Sequence, residues 1–301
     1  PGDDGSYQKG AVWPSPRFIV QETTVTDRLT GLIWERAPIN ASFDWVAAFS
    51  RINTLNAGKL GGYSDWRLPN VNELASLINY GQANIGTWLN TQGFIGVQNN
   101  NYWSSSTVAG SSSNAWAVNL NYGQVHNLST GTNYYVLAIR KNGGGAICLP
   151  KTGQTAIYQP GDDGSYQKGA VWPSPRFNDN GNGTITDRLT GLMWERVPAS
   201  PAVDWYSAIS YCENLTLGGH SDWRLPNVSE LKSLVNYEQE NSDYWLNNTQ
   251  GFENIAHNYY FTASTQTGTS SSVWLVYMST GLVLPGTKGS NNYVLAVRGG
   301  M

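Results

Sequence analysis

Two amphipathic helices are predicted by the spacing of apolar residues in the first half of the chain. The first can be capped by Ser42 or Asp44 and runs to about Asn56. Its apolar positions recur every three or four residues, at Trp45, Phe49, Ile52 and Leu55. The second follows a proline and starts at Asn70, because Glu73 three residues later can close a capping box with this N-cap. Its apolar stripe is Val71, Leu74, Leu77 and Ile78.

Most other apolar residues alternate with polar ones in short runs, which is typical of β-strands. The clearest runs are residues 32–35, 115–120 and 135–140. Short strands combined with two helices predict an α+β fold.

The whole pattern occurs twice. Residues 1–18 return unchanged at 160–177, and other segments return in the same order. These are 26–32 at 186–192, 64–70 at 221–227, and 135–140 at 293–298 with one substitution. The second copy of the capped helix uses Asn227 and Glu230, with apolar positions Val228, Leu231, Leu234 and Val235. We therefore predict two tandem domains, 1–141 and 160–301, joined by a linker at 142–159.

Tryptophan is the most regular feature of the repeat, since twelve of the 13 Trp residues have a Trp in the other copy. The pairs are 13/172, 34/194, 45/205, 66/223, 88/245 and 116/274, and Trp103 is matched by Phe261. Rings kept in both copies indicate a core rather than a ligand site. We expect burial for the pairs Trp34 and Trp194, Trp66 and Trp223, Trp116 and Trp274.

Composition restricts the function. Charged residues make up 13% of the chain, the formal net charge is −3, and no cluster of Lys or Arg occurs. Such a surface does not follow a nucleic-acid backbone, and no apolar run is long enough to span a membrane. The polar, aromatic composition is typical of extracellular or cell-surface proteins, and since the chain begins at Pro1 we expect processing before it. In an oxidising compartment, Cys148 and Cys212 can form one disulfide, which we predict.

Several motifs together resemble a known family. They are SDWRLPN followed by Glu-Leu, TDRLTGL with a nearby Trp, YWSSS, and a closing YVLA-x-R. This combination is similar to the Lcl C-terminal domain family, which includes the C-terminal domain of a bacterial collagen-like adhesin. The resemblance covers nearly the whole chain, twice, and implies two C-type-lectin-like domains on a secreted or surface-attached protein. That adhesin binds sulfated polysaccharide, but the sparse Lys and Arg here argue against a sulfated ligand.

No residues suggest catalysis. The three histidines, His126, His220 and His257, are not shared between the copies, and a solvated surface position explains them best. We expect Asp65 and Arg67, with their copies Asp222 and Arg224, to form ion pairs that fix the turn into the second helix. The segment NDNGNGTITD contains Asp179 and Asp187, which could bind calcium, but an Asn-Gly hairpin turn accounts better for its residues.

Any ligand site should lie where the copies diverge and the residues are polar or aromatic. The divergent segments are 97–114, 119–133, 255–272 and 277–292. The candidate ligand-binding residues in these segments and beside them are Asn99, Asn100, Asn101, Tyr122, His126, Asn127, His257, Asn258, Tyr259, Tyr277, Lys288 and Asn292.

Three functions remain, in decreasing order of support. The first is a non-catalytic extracellular adhesion or binding protein that recognises a glycan or a protein surface. The second is a structural subunit, because residues 1–18 match the segment before copy two and could dock on copy two of another molecule, building a head-to-tail filament. The third is a lectin-fold enzyme.

Overall fold

The computed structural model describes residues 2–141 and 144–299 and has two compact units. One is Ala11–Ala170, called the first domain. The other, called the second domain, combines Pro1–Gly10 with Val171–Met301. The limits of these compact units differ from the predicted boundaries at 141 and 160. The linker and the start of copy two pack with copy one, and the start of the chain packs with copy two.

Both domains mix helices and strands, with most of the regular structure in β-sheets. The helices are α1 Asp4–Tyr7, α2 Trp45–Ala57, α3 Val71–Ala75, α4 Ile85–Thr91, α5 Asp163–Tyr166, α6 Trp205–Asn214, α7 Val228–Lys232 and α8 Ser242–Thr249. The strands of the first domain are β1 Phe18–Val20, β2 Thr24–Asp27, β3 Leu32–Glu35, β4 Asn101–Val108, β5 Ser111–Asn119, β6 Val125–Ser129 and β7 Ile139–Lys141. Those of the second are β8 Phe177–Asp179, β9 Thr184–Asp187, β10 Met193–Glu195, β11 Ala199–Val203, β12 Tyr259–Thr265, β13 Ser272–Tyr277, β14 Val283–Thr287, β15 Asn292–Val294 and β16 Val297–Arg298.

The sheets follow one plan in both domains. In the first domain, a small sheet has the order β1-β2-β3-β7, and a second contains the meander β4-β5-β6. The second domain repeats the small sheet as β8-β9-β10-β16 and the meander as β12-β13-β14, with β11 and β15 added beside β12. The tandem α+β architecture agrees with the prediction.

The helix starts lie where the sequence predicts them. Asp44 caps α2 by accepting a hydrogen bond from the Ala47 amide at 2.7 Å. The capping box of Asn70 and Glu73 starts α3, and its copy starts α7. Four elements were not predicted: helices α4 and α8 and the short turns α1 and α5. Each is too short for its apolar residues to show a helical period.

The core of each domain is built around the repeated Trp residues. The six rings expected to be buried, Trp34, Trp66, Trp116, Trp194, Trp223 and Trp274, are at most 2% exposed. The pairs 13/172 and 88/245 lie nearer the surface, where Trp13 packs on Trp88 with ring centroids 6.0 Å apart. The Trp pair 45/205 is also buried, so the repeated rings mark the core in four pairs and a partly exposed aromatic contact in two.

The predicted ion pair between Asp65 and Arg67 is absent. Arg67 is buried and makes a double contact with the buried Glu73, at 2.6 and 2.7 Å. Asp65 is 58% exposed and pairs with Arg140 at 2.7 Å. A buried guanidinium needs a buried carboxylate, and Glu73 supplies one from the capping box. In the second domain, Arg224 likewise pairs with Glu230, and Asp222 pairs with Arg298.

The predicted Cys148–Cys212 disulfide is also absent, because both cysteines are free. Cys148 is exposed in the linker, whereas Cys212 is fully buried in the core of the second domain. Cys212 fills the helix position that Ile52 occupies in the first domain. It serves as a small apolar core residue, and burial raises the pKa of its thiol.

Candidate functional site

The segment PGDDGSYQKG, here called the decapeptide, occurs at Pro1–Gly10 and Pro160–Gly169. Residues 2–10 and 161–169 fold in the same way. Asp3 caps the helical turn α1 through the amide of Ser6, at 3.0 Å, and Gln8 ends the turn in the left-handed conformation. Asp162 and Gln167 have these roles in α5. An Asp followed three residues later by Ser therefore encodes a small preformed element.

In the first domain, this turn is docked beside the start of α3. The carboxylate of Asp163 accepts hydrogen bonds from the hydroxyls of Ser106 on β4, at 2.5 Å, and of Thr152, at 2.7 Å. The side-chain amide of Asn70 donates to the carbonyl of Lys168 at 3.0 Å. Asp163 is 2% exposed, so this is a buried polar anchor whose hydrogen-bonding partners are present.

The second domain repeats these contacts with residues from the start of the chain. Ser264 donates to the carboxylate of Asp4 at 2.8 Å, and the side-chain amide of Asn227 donates to the carbonyl of Lys9 at 3.2 Å. Gly2 lies so close to Ile209 that a Cβ at residue 2 would come within 2.4 Å of it. Both domains thus possess one docking site for the decapeptide, and both sites are filled.

One difference separates the two docking sites. In the first domain the linker covers the docked turn, since the side chain of Gln154 bonds to the amide, carbonyl and hydroxyl of Thr107. A Cβ on Gly164 would lie 1.9 Å from the carbonyl of Ala156. The described part of the second domain contains no such covering segment. Accordingly, Asp4 is partly exposed where Asp163 is buried.

Burial changes the acidity of both anchoring carboxyls. Desolvation raises the pKa of Asp163 to about 6, against the hydrogen bonds from Ser106 and Thr152. Desolvation also raises the pKa of Asp4, and the hydrogen bond from Ser264 opposes it.

Only the first ten residues of the repeated 18-residue segment dock in this way. Residues 11–18 pack on the first copy itself, where Arg17 forms a buried pair with Asp27 at 2.8 Å. Phe18 packs edge-on against Phe94. The prediction that residues 1–18 act as one docking unit was therefore wrong, because the apolar second half of the segment belongs to its own domain.

The Lcl C-terminal domain model matches residues 23–140 and again residues 183–298. The chain belongs to the Lcl C-terminal domain family. Both decapeptides and the linker lie outside the two matched ranges. No curated protein matches the chain significantly.

Two of the candidate ligand residues of the first Lcl C-terminal domain, Asn101 and His126, form one small cluster with Asn119. Asn101 on β4 accepts hydrogen bonds from Asn119, at 2.8 Å, and bonds to His126, at 2.9 Å. Burial lowers the pKa of His126. The others lie apart from this cluster: Asn99 bonds to Thr87, Asn100 bonds to the following backbone amide, Tyr122 is exposed in a turn, and Asn127 pairs across strands with Trp116.

The second Lcl C-terminal domain has aromatic side chains in the same place. Tyr259 and Tyr277 face each other across strands, with ring centroids 4.8 Å apart, and correspond to Asn101 and Asn119. His257 packs edge-on against Tyr277 at 5.4 Å. Three candidates lie elsewhere: Asn258 bonds to the next backbone amide, Lys288 lies over Trp205, and Asn292 pairs with Val203.

A cleft of about 300 Å³ opens beside this aromatic group. It is lined by Asp243, Tyr244, Asn247, Asn248, Ile255 and His257. One carboxylate oxygen of Asp243 contacts His257 at 3.3 Å, and the other is buried without a hydrogen-bonding partner among the described residues. The sequence did not single out Asp243, because Gly86 takes its place in the first copy.

The segment around Asp179 and Asp187 forms the predicted hairpin, between β8 and β9. Asp187 is buried and bonded to Arg176, so its carboxylate is already engaged. Asp179 lies 3.6 Å from Arg196. Within residues 2–141 and 144–299, no three His, Cys, Asp or Glu side chains lie close enough together to hold a metal. The same residues include no helix that is long and apolar enough to cross a membrane.

The sequence predicts Asn70 and Asn227 as helix caps but not as docking residues. Ser106 and Ser264 were not predicted as docking residues, because serine is common throughout the chain. The available signal was the decapeptide itself, since ten identical residues outside the domain pattern imply two identical receptors.

Proposed function

We propose that this chain is a non-catalytic extracellular binding protein whose two Lcl C-terminal domains each recognise the decapeptide. Its localisation at the cell surface or outside the cell, its C-type-lectin-like fold and its lack of catalysis belong to this proposal. They are supported by the family and by the composition.

One observation carries the proposal, namely that equivalent residues hold equivalent segments in both domains. Ser106 and Ser264 bond to the Asp of the decapeptide, while Asn70 and Asn227 bond to its Lys carbonyl. Neither contact needs a particular side chain from the surrounding loops. The receptor is built into the strand and helix that both copies of the domain contain, which favours peptide recognition over incidental packing.

The direct experiment is a titration of a vacant second-domain site with peptide. The full chain carrying Gly2→Val and Asp4→Lys has a start that cannot dock, because valine would clash with Ile209 and lysine cannot accept from Ser264. A labelled synthetic peptide of residues 2–10 should bind this variant at one site per chain, measured by fluorescence anisotropy. A peptide of the same composition in scrambled order should not bind. Absence of saturable binding by the native peptide would refute the function.

The cleft at His257 favours a second function, binding of a neutral glycan. Asp243 contacts His257, whose ring nitrogens can bond to a sugar hydroxyl, and the exposed ring of Tyr244 offers a face for the apolar side of a sugar ring. Because the corresponding residues of the first domain are Gly86 and Asn99, this function would belong to the second domain alone.

Binding to an array of neutral glycans tests the second function. Wild type should bind at least one of the array's glycans, and Asp243→Ala should abolish that binding. A matched control is Asn101→Ala, which alters the corresponding region of the first domain and should leave binding unchanged. Equal binding by wild type and Asp243→Ala would remove the cleft from consideration.

A further inference from the structure

Each decapeptide docks on one domain and is followed along the chain by the other domain. Residues 160–169 dock on the first domain and continue into the second, while residues 1–10 dock on the second domain and continue into the first. The docking contacts would therefore be the same whichever chain supplies the decapeptide. Any second domain with a vacant site offers the same serine and the same asparagine.

The connecting residues are suited to such an exchange. Val12 is 89% exposed and Val171 is 74% exposed, so both connections run through solvent. Gly10 has a φ of +122°, and a Cβ there would meet nothing within 4 Å. An exposed hinge without packing contacts can redirect the preceding segment at little energetic cost.

The two docking sites differ in how firmly they hold the segment. Covered by the linker, the decapeptide on the first domain has Asp163 at 2% exposure, and Gly169 is in close contact with the backbone of Pro150 and Lys151. The second-domain site lacks this cover in the described residues, and residues 5–10 are exposed. Release of Pro1–Gly10 therefore breaks fewer contacts than release of Pro160–Gly169.

From these observations we infer that the decapeptide at Pro1–Gly10 exchanges between chains and docks on the second domain of another copy. This inference rests on the proposed docking function and names its partner as this same chain. The first-domain site stays filled from within its own chain. Each chain then offers one donor segment and one acceptor site, on different domains, which builds an open head-to-tail polymer.

A closed single chain and an open polymer contain the same docking contacts, so concentration decides between them. The single chain is favoured by the high effective concentration of its own segment, and the polymer is favoured as the chain concentration rises. Docking within a chain is also the state that would keep a dilute or newly made protein from assembling.

The experiment mixes two full-length variants. One has a decapeptide at residues 1–10 that cannot dock, and the other has a second-domain site that cannot accept it. The donor-blocked variant carries Gly2→Val and Asp4→Lys, and the acceptor-blocked variant carries Asn227→Asp and Ser264→Val. Each should be folded and monomeric alone, at about 32.9 kDa. An equimolar mixture, passed through a denaturation and refolding cycle to allow exchange, should show a twofold increase in mass by light scattering.

Wild type refolded at high concentration should instead give a ladder of multimers and filaments by negative-stain electron microscopy, which an excess of peptide 2–10 disperses. This peptide test does not depend on how the variants fold. If wild type stays monomeric at every concentration and the mixture never doubles in mass, the exchange is refuted. Should the peptide still bind the donor-blocked variant, the proposed docking function stands without exchange. Failure of that binding refutes the function itself.

Discussion

In the first domain, the side-chain amide nitrogen of Asn70 donates to the carbonyl of Lys168 at 3.0 Å, while the oxygen of the same amide caps α3. One side chain thus starts a helix and holds a segment 98 residues away. Asn227 repeats this double role toward Lys9. Fold and recognition are therefore coupled through a residue that the sequence identifies only as a cap.

Asn227→Asp should separate these two roles. Aspartate caps a helix as well as asparagine does, but it cannot donate to the Lys9 carbonyl. We expect docking to weaken by about 1 kcal/mol, roughly fivefold in affinity for peptide 2–10, with little change in the stability of α7. The affinity is measured on the donor-blocked chain, with and without the substitution. Asn227→Ala is the control and should lower both affinity and thermal stability. An unchanged affinity for Asn227→Asp would show that the Lys9 contact does not hold the segment.

Alanine at the equivalent glycines of the two decapeptides should have opposite effects. In Gly164→Ala, the new Cβ would lie 1.9 Å from the carbonyl of Ala156, so either the linker or the turn must move. We expect a loss of about 1–3 kcal/mol in the unfolding free energy of the first domain. In Gly5→Ala, the nearest neighbour is an oxygen of Asp3 at 3.7 Å, and alanine favours the helical turn. Urea unfolding of both variants checks this contrast, and equal losses would contradict the difference in linker cover.

The second domain should lose stability as the pH rises through about 7. Burial raises the pKa of Glu195 to about 7, although the hydroxyl of Tyr211 donates to it. Since the folded pKa exceeds the ordinary value of 4.5, this contribution is complete below pH 4.5 and is lost as pH rises through the folded pKa. The corresponding loss in the free energy of unfolding is about 3 kcal/mol.

The corresponding pair in the first domain suggests two substitutions that test this pH dependence. There Arg51 stands where Tyr211 stands and pairs with Glu35 at 2.5 Å, opposing the effect of burial on the pKa of Glu35. Tyr211→Arg should therefore reduce the loss of stability between pH 5 and pH 9, and Arg51→Tyr should increase the corresponding loss in the first domain, where burial already raises the pKa of Glu35. Urea unfolding at both pH values provides the measurement. A wild-type profile identical to that of Tyr211→Arg would show that Glu195 is not responsible.

Thiol titration should find one reactive cysteine in the native protein and two after unfolding. Cys148 is exposed, whereas Cys212 is buried and its thiol pKa is raised by that burial. Cys212→Ile, which introduces the residue found at position 52 of the first domain, should leave the native count at one and preserve folding. A native count of zero would instead support the disulfide predicted from the sequence.

Local chemistry explains what could be predicted from the sequence. The caps at Asp44 and Asn70 and the buried Trp rings depend on neighbours within a few residues or on burial alone. Partner choice depends on long-range geometry, which is why Arg67 pairs with Glu73 instead of Asp65. The sequence predicts docking on copy two, but it does not show that only residues 2–10 dock or where they pack, because a segment outside the domain pattern has no periodicity.

Amide hydrogen exchange at residues 3–8 tests the central claim most directly, since it reports docking whichever chain supplies the segment. The amides of Ser6, Tyr7 and Gln8 donate within the α1 turn, and a four-residue turn is not stable by itself in water. We predict that these amides exchange more slowly than in the free peptide 2–10, and that Ser264→Ala reduces the protection. Exchange at the free-peptide rate in the intact protein, while residues 163–167 remain protected, would contradict docking on the second domain.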